Sequence, residues 1–458
     1  MNNPSSIIAP FLKGRAVSPF TAVARSGVRA LPKTIALSLY AATALLAQRP
    51  EDKPLPPAAP VPVAFNFEFG AAKPGTTAMA VADYDAYTIE KGYGFDLGTK
   101  PGTDTPFFFS VKVPEGNYRV TVTLGDPAGE SDTTIRSESG HIHLVDVKTA
   151  AGQFVTKTFY ANVRRPEIQP PAPQNAPGEP RVHMFLRGEA EARHWDEKLT
   201  IEFNGPRPRI TALEVVRDTQ VPTVFMAGDS TVGDPRRGPG GNWPTQLCQF
   251  FKPEVAVCNS AEGGETSKSF ITGQRLDKVL SQMKAGDFFL VQFAHNDSKP
   301  QWPQSYTEPA TSFKAYLGVY LAETKRRGAT LVLVTPMERR SNGDTVGPWA
   351  RAMREFAKEN NVALIDQWAM SKEMWTALGK DVGTAFADQT HLSGYGGYLL
   401  AKNIVRGIKA GVPGLAKFIV DDYVDMDPAK PEPAPAYLKQ SSGPGGRDPN
   451  RPEPGTKS

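Results

Sequence analysis

The chain has 458 residues, with 52 Lys+Arg against 48 Asp+Glu and a formal charge of +4, so a strongly basic nucleic-acid surface is not indicated. Hydrophobic residues make up 40%, enough to bury sizeable cores, and the length suits two domains with tails better than one core or a disordered chain. Proline, at 42 residues, is the outlier, and its crowding into 50–62 and 428–458 marks a linker and a tail.

Residues 1–33 carry Lys13, Arg15, Arg25, Arg29 and Lys33 with no acid, and the uncharged run TIALSLYAATALLAQ (34–48) follows. This reads as a signal peptide or N-terminal targeting segment over 1–47 with a long basic region, implying a secreted or periplasmic protein. A retained anchor is the alternative, but the run is shorter than the roughly 20 residues a spanning helix needs, so no stable membrane insertion is expected after processing. A Pro-rich linker is expected over 48–62.

From 63 to 218 short alternating runs predict an all-β jelly-roll sandwich. NYRVTVTL puts Tyr118, Val120, Val122 and Leu124 on one face, and KLTIEF puts Leu199, Ile201 and Phe203 inward. Further strands read at 63–69, 106–113, 141–147, 154–163 and 210–216, and the Pro-rich stretch 165–180 reads as a loop. His141 and His143 share a strand face. With no nearby Cys or carboxylate to complete a site, a metal is not expected there.

Over 221–424 continuous apolar runs (VPTVFMAG, VAVC, DFFLVQF, ATLVLVT, VALID) alternate with helix-length stretches near 243–251, 274–284, 309–327, 347–360, 367–378 and 394–409. That pattern predicts a parallel sheet covered on both faces, with ligands at the carboxyl ends of its strands. The two cysteines, Cys248 and Cys258, read as buried thiols, with a bridge as the alternative. A disordered Pro/Gly-rich tail is expected over 425–458.

The strand ends carry the chemistry. Ser230 follows the first run in FMAGDSTVGD, where its hydroxyl can face a cleft, although the G-x-S-x-G elbow is absent because Val232 stands at the last position. NSAEGG supplies Gly264 and AHND supplies Asn296. Together with the Ser230 N–H they could form a three-donor oxyanion hole, while singly each also suits an ordinary turn. In FADQTHLSG, Asp388 stands three residues before His391, close enough to orient its imidazole toward a nucleophile. The loop 234–243, with Arg236, Arg237 and Trp243, and the aromatics Trp302, Tyr306 and Trp349 could border the cleft. A solvated loop and core aromatics are the alternative. His295 suits a structural or substrate-contacting role.

Taken together, GDSTV (228–232), NSAEGG (259–264), HND (295–297) and DQTH (388–391) resemble the four ordered blocks of the SGNH (GDSL-type) esterase superfamily, most similar to its rhamnogalacturonan acetylesterase branch. The resemblance covers about 221–412. It implies a flavodoxin-like three-layer αβα fold, Ser230 as nucleophile, Gly264 and Asn296 as oxyanion donors, His391 as base and Asp388 as its orienter. No metal or organic cofactor is implied, and an acetylated polysaccharide or oligosaccharide would be the substrate. Segment 63–218 resembles a galactose-binding-like domain, chiefly in WDEKLTIEFNG and RITALEVV. Glu265 departs from the branch, where basic residues are frequent.

The implied reaction is acyl transfer by a carbohydrate O-acetylesterase. A lipase or thioesterase on the same scaffold is the rival, and a non-catalytic carbohydrate-binding protein is the rival of another class. The short junction at 217–222 predicts that the β domain buttresses the catalytic part and forms a cleft wall.

Overall fold

Alternation in the first part resolves into short, mostly antiparallel strands. In the computed structural model, which describes residues 64–70, 77–102, 104–138, 140–168, 182–186, 195–234, 241–340 and 343–440, they are β1 (Ala64–Phe69), β2 (Met79–Val81), β3 (Tyr93–Asp96), β4 (Phe107–Lys112), β5 (Gly116–Gly125), β6 (Ser131–Ser137), β7 (His141–Thr149), β8 (Phe154–Val163), β9 (Glu167–Ile168), β10 (Val182–His183), β11 (Lys198–Arg207) and β12 (Ala212–Arg217). Ten of these build two five-stranded sheets, ordered β2-β1-β12-β5-β8 and β3-β4-β11-β6-β7, while β9 and β10 pair separately. The expected targeting segment and linker (1–62) lie outside the described residues.

The two sheets share one core. Tyr118, Val120, Val122 and Leu124 of β5 and Leu199, Ile201 and Phe203 of β11 are all fully buried in it, as their alternation requires. Burying each such side chain contributes roughly 1.5–3 kcal/mol. Strand β6, SDTTIRS, escapes the pattern because its outward face is buried as well. Thr134 and Arg136 are covered, and Arg136 donates to Glu202 of β11 at 3.2 Å. A strand with polar residues on both faces gives no hydrophobic period to read.

The second part begins with β13 (Thr223–Gly228), β14 (Ala256–Asn259), β15 (Phe288–Gln292), β16 (Thr330–Val334) and β17 (Ala363–Ile365). These form one wholly parallel sheet in the order β14-β13-β15-β16-β17. The helices are α1 (Trp243–Leu247), α2 (Ser269–Thr272), α3 (Arg275–Gln282), α4 (Lys314–Arg326), α5 (Gly347–Asn360), α6 (Gln367–Leu378), α7 (Gly394–Gly411) and α8 (Pro413–Ala416). Successive residues of β13 point into opposite cores. Val224 and Met226 join residues of α1, α6 and α7, whereas Phe225 and Ala227 join residues of α3, α4 and α5. The sheet also separates the cysteines, because Cys248 lies in the first core and Cys258 in the second, and both are free thiols.

Both parts belong to one compact unit. Asp218, in the junction, accepts from Tyr160 of β8 at 2.7 Å, and Asn117 of β5 donates to Thr223 of β13 at 2.8 Å.

The tail is a correction for residues 425–440, which pack against the folded chain. Tyr437 is 4% exposed, accepts from Gln249 and donates to Gln246, each at 3.0 Å. Glu432 pairs with Lys402 at 3.0 Å and accepts from Tyr398 at 2.6 Å. A proline-rich composition forbids a core of its own, but one aromatic and a few polar anchors suffice to dock on a surface already built. We expect Tyr437→Ala to lower the unfolding free energy by about 3 kcal/mol, the scale of a buried aromatic truncation, in urea denaturation. An unchanged midpoint would show that this segment does not contribute. Residues 441–458 lie outside the described residues.

Candidate active site

In a parallel sheet the chain leaves its first strand toward neighbours on both sides, and the crevice opens where that direction reverses. Here that strand is β13, flanked by β14 and β15, and the loops that follow all three meet at one cleft. The cleft holds about 560 Å³ and is lined by Ser230, Asp234, Gly264, Asn296, Lys299 and His391 among others.

Ser230 sits two residues beyond β13. Its neighbour Asp229 is fully buried and accepts from the N–H and hydroxyl of Thr231 at 2.9 and 2.7 Å and from the His295 N–H at 3.2 Å. Burial alone would raise the Asp229 pKa, but the His295 ring and these donors outweigh it and hold the carboxyl below its usual value. The Asn242 amide donates to the Ser230 carbonyl at 2.9 Å and also to the Gly233 carbonyl. The turn bearing Ser230 is therefore held from both sides.

His391 arrives from the loop before α7. Its Nε2 lies 2.9 Å from Ser230 Oγ, and its Nδ1 lies 2.7 Å from Asp388 Oδ2. Asp388 Oδ1 accepts the backbone N–H groups of Thr390 and His391, each at 2.7 Å. Partial burial works against ionisation of Asp388, but the His391 backbone and ring and the Thr390 N–H hold its pKa down to about 2. The loop reaches Ser230 because α7 packs backbone against backbone. A Cβ on Gly241 would stand 2.4 Å from the Ser393 carbonyl, and one on Gly397 would stand 2.7 Å from Gly241. Only glycines allow that approach.

Gly264 adopts φ +85°, the left-handed region that favours glycine. Neither its N–H nor that of Ser230 is taken by a protein acceptor among the described residues. The Asn296 amide donates to the Glu265 carbonyl at 2.9 Å, while its oxygen accepts from Lys299 Nζ at 2.6 Å. Those two bonds determine which end of the amide is nitrogen, and a second N–H remains to serve the cleft. Sequence reasoning missed Lys299, three residues after Asn296. We expect Lys299→Met to lower kcat roughly tenfold by freeing the amide to rotate, measured on a small aryl acetate. An unaltered kcat would mean that Glu265 alone orients Asn296.

Several expected substrate contacts lie elsewhere. Trp243 is 1% exposed, its ring packed in the core among residues of α6 and α7, away from the cleft. His295 is 2% exposed, with Nε2 3.1 Å from the Met337 carbonyl and its backbone N–H on Asp229, so its role is structural. Trp349 is buried and donates to Thr307. Trp302 is exposed on the loop that carries Lys299. Arg236 and Arg237 lie outside the described residues. Glu265 is buried and paired with Arg275 at 3.4 Å, which makes it an internal support. His141 and His143 are also buried, His143 against Ser137 at 2.7 Å. Among the described residues no group of three or more His, Cys, Asp or Glu could hold a metal ion.

Residues 226–397 match the model of the GDSL-like lipase/acylhydrolase family. Over 215 residues the chain is 34% identical to rhamnogalacturonan acetylesterase RhgT of Bacillus subtilis, a match spanning 42% of this chain and 91% of that relative. The chain belongs to the GDSL-like lipase/acylhydrolase family. A second relative, the uncharacterized esterase YxiM of Bacillus subtilis, is 25% identical over 392 residues, 77% of this chain and 93% of its own. The crystal structure of YxiM covers 76% of this chain and 98% of that one, at 22% identity and a TM-score of 0.42. The hydrolase match runs from β13 into α7 and so takes in Ser230, Gly264, Asn296, Asp388 and His391. No described helix is long and apolar enough to cross a membrane.

Proposed function

We propose that this chain is a serine esterase that removes O-acetyl groups from plant cell-wall polysaccharide, most specifically rhamnogalacturonan or a related pectin, through an acetyl-serine intermediate. The observation that carries this reading is the unbroken chain Asp388, His391, Ser230, with contacts of 2.7 and 2.9 Å, at the edge of a cleft lined by Ser230, Gly264 and Asn296. The substrate class draws support from RhgT, whose name states rhamnogalacturonan acetylesterase.

His391 Nε2 takes the Ser230 proton as Oγ bonds to the ester carbonyl carbon, and the carbonyl electrons move onto oxygen. The Ser230 N–H, the Gly264 N–H and the Asn296 amide stabilise that oxyanion, one such donor being worth about 3–4 kcal/mol of barrier. The intermediate collapses, the sugar oxygen leaves with the proton from His391, and acetyl-Ser230 remains. Water then gives its proton to His391 and attacks the acetyl carbon, releasing acetate and restoring Ser230. Asp388 holds Nδ1 protonated throughout and supports the imidazolium. A lipid reading is less well supported, because among the described residues the cleft lining contains Asp234, Asn242, Asn296 and Lys299, with Leu392 as its sole large apolar side chain. The export expected from residues 1–47 suits an enzyme acting on extracellular polymer and is part of this proposal.

The deciding experiment is acetate release from acetylated rhamnogalacturonan, homogalacturonan and xylan by the protein starting near residue 48, beside Ser230→Ala and His391→Ala. Release from a pectic polymer, absent in both variants, is expected. Release from xylan alone would overturn the pectin assignment, and cleavage confined to long-chain esters would favour the lipase reading. Polymer binding without turnover would favour a binding protein.

A further inference from the structure

Asp234 closes one part of the cleft wall, yet its side chain is only 4% exposed, and two of its partners come from the β-rich half. Oδ1 accepts from His141 Nε2 at 2.8 Å and from Asn259 Nδ2 at 2.7 Å, and Oδ2 accepts from Arg164 Nη2 at 2.9 Å. His141 opens β7 and Arg164 directly follows β8, so two strands of the β-rich half each deliver one cation-forming side chain to a single carboxylate of the hydrolase half. Both side chains are buried, at 6% and 3% exposure, and Arg164 also stacks 5.0 Å over the Trp195 ring. Burial works against a charged His141, but Asp234 and then Cys248 outweigh it and raise its pKa to about 10. Any one of these charges left alone in this setting would be strongly unfavourable, so the cluster is stable only when complete.

Asp234 is also the far end of the turn that begins at Ser230. The Asp229 carbonyl accepts the N–H groups of Val232 and Gly233 at 3.0 and 2.8 Å, and Asn259 donates to the Val232 carbonyl at 2.9 Å as well as to Asp234. A displacement at Asp234 thus passes along a short hydrogen-bonded turn to the Ser230 N–H and Oγ.

We propose that His141 and Arg164 are positioning residues of the hydrolase. By clamping Asp234 they hold the Ser230 turn in register with His391, so the β-rich half completes the active site instead of serving as a detachable module. This rests on Ser230 being the nucleophile.

The test uses the full chain and a small aryl acetate, which reports the acylation machinery without polymer contacts. Arg164→Met and His141→Leu are expected to lower kcat roughly 10- to 100-fold, the scale of a misplacement near 1 Å, with KM within about twofold. His141→Gln, which restores an amide donor for Asp234 Oδ1, is expected to recover most of that loss. Lys278→Met is the control. Lys278 bridges the same two halves, through Glu115 Oε1 at 2.6 Å and the Glu167 carbonyl at 2.5 Å, but none of its contacts is on the turn. It is expected to lower the melting temperature while keeping kcat. Unchanged kcat in Arg164→Met and His141→Leu would overturn the inference, as would an equal loss in Lys278→Met. Should Arg164→Met not fold, the His141 pair decides: rescue by glutamine supports positioning, and equal loss in both variants overturns it. A wild-type protein with no Ser230-dependent turnover of the aryl ester would instead remove the functional reading itself.

Discussion

Replacing Ser230 with alanine is expected to reduce kcat for acetyl-ester hydrolysis by roughly 10⁴- to 10⁶-fold while leaving the fold intact, because in the proposed mechanism the step it removes is the covalent one. The hydroxyl lies 2.9 Å from His391 Nε2, within reach for direct proton transfer to the imidazole. Residual turnover above the uncatalysed rate should persist, since the Gly264 and Asn296 donors remain in place. His391→Ala should match Ser230→Ala closely, and the double variant should be scarcely worse than either, because the two side chains act as one unit. Single-turnover kinetics with an aryl acetate provides the check: the burst of the wild type should vanish in all three variants. A burst surviving in Ser230→Ala would place the nucleophile elsewhere.

The second large effect is expected at Asp388. Asp388→Asn keeps the shape of the turn, but an amide that donates to Nδ1 would favour the tautomer in which Nε2 carries the proton and cannot accept one from Ser230. We expect kcat to fall by roughly 10²- to 10⁴-fold with little change in KM. The pH dependence follows from the direction of the shift. A carboxyl held at about 2 in the fold, below its unfolded value near 3.8, contributes stability that is fully present above pH 4 and is lost as pH falls through about 2. Wild type and Asp388→Asn should therefore differ in thermal midpoint near pH 6 and converge toward pH 2. A wild-type rate that declines with a midpoint at pH 5 or above must then reflect protonation of a group other than Asp388. If Asp388→Asn retained full kcat, the orienting role would pass to the backbone of the 388–391 turn.

Much of this molecule was legible before any coordinates. The alternation of NYRVTVTL and KLTIEF placed their inner faces, because a strand buried on one side repeats every second residue. Likewise, the continuous apolar runs after residue 221, alternating with helix-length stretches, predicted strands covered on both sides, and helices near 347–360 and 367–378 are found at those same bounds. The pairing of Asp388 with His391 was readable for a simpler reason: three residues of turn bring the two side chains together without help from the rest of the chain.

What the sequence could not contain was the partner of each outward-facing polar group. His141 lies 93 residues from Asp234 and Arg164 lies 70, and nothing local marks either as support for a cleft. The same limit explains β6, whose polar outer face is covered by distant parts of the chain, and Tyr437, which docks on Gln246 and Gln249 from a proline-rich tail. Trp243 and His295 show the converse. Both stand in cleft-bordering segments, yet tertiary packing turns one ring into the helix layer and pins the other to Asp229 and Met337. Periodicity and short-range spacing are set by backbone geometry, and so the sequence by itself determined the strands with an alternating or continuous apolar run, the longer helices and the Asp388–His391 pair. Burial depends on which surfaces meet, and so only the tertiary structure decided that the buttress expected of the β-rich half takes hold at Asp234, through His141 and Arg164.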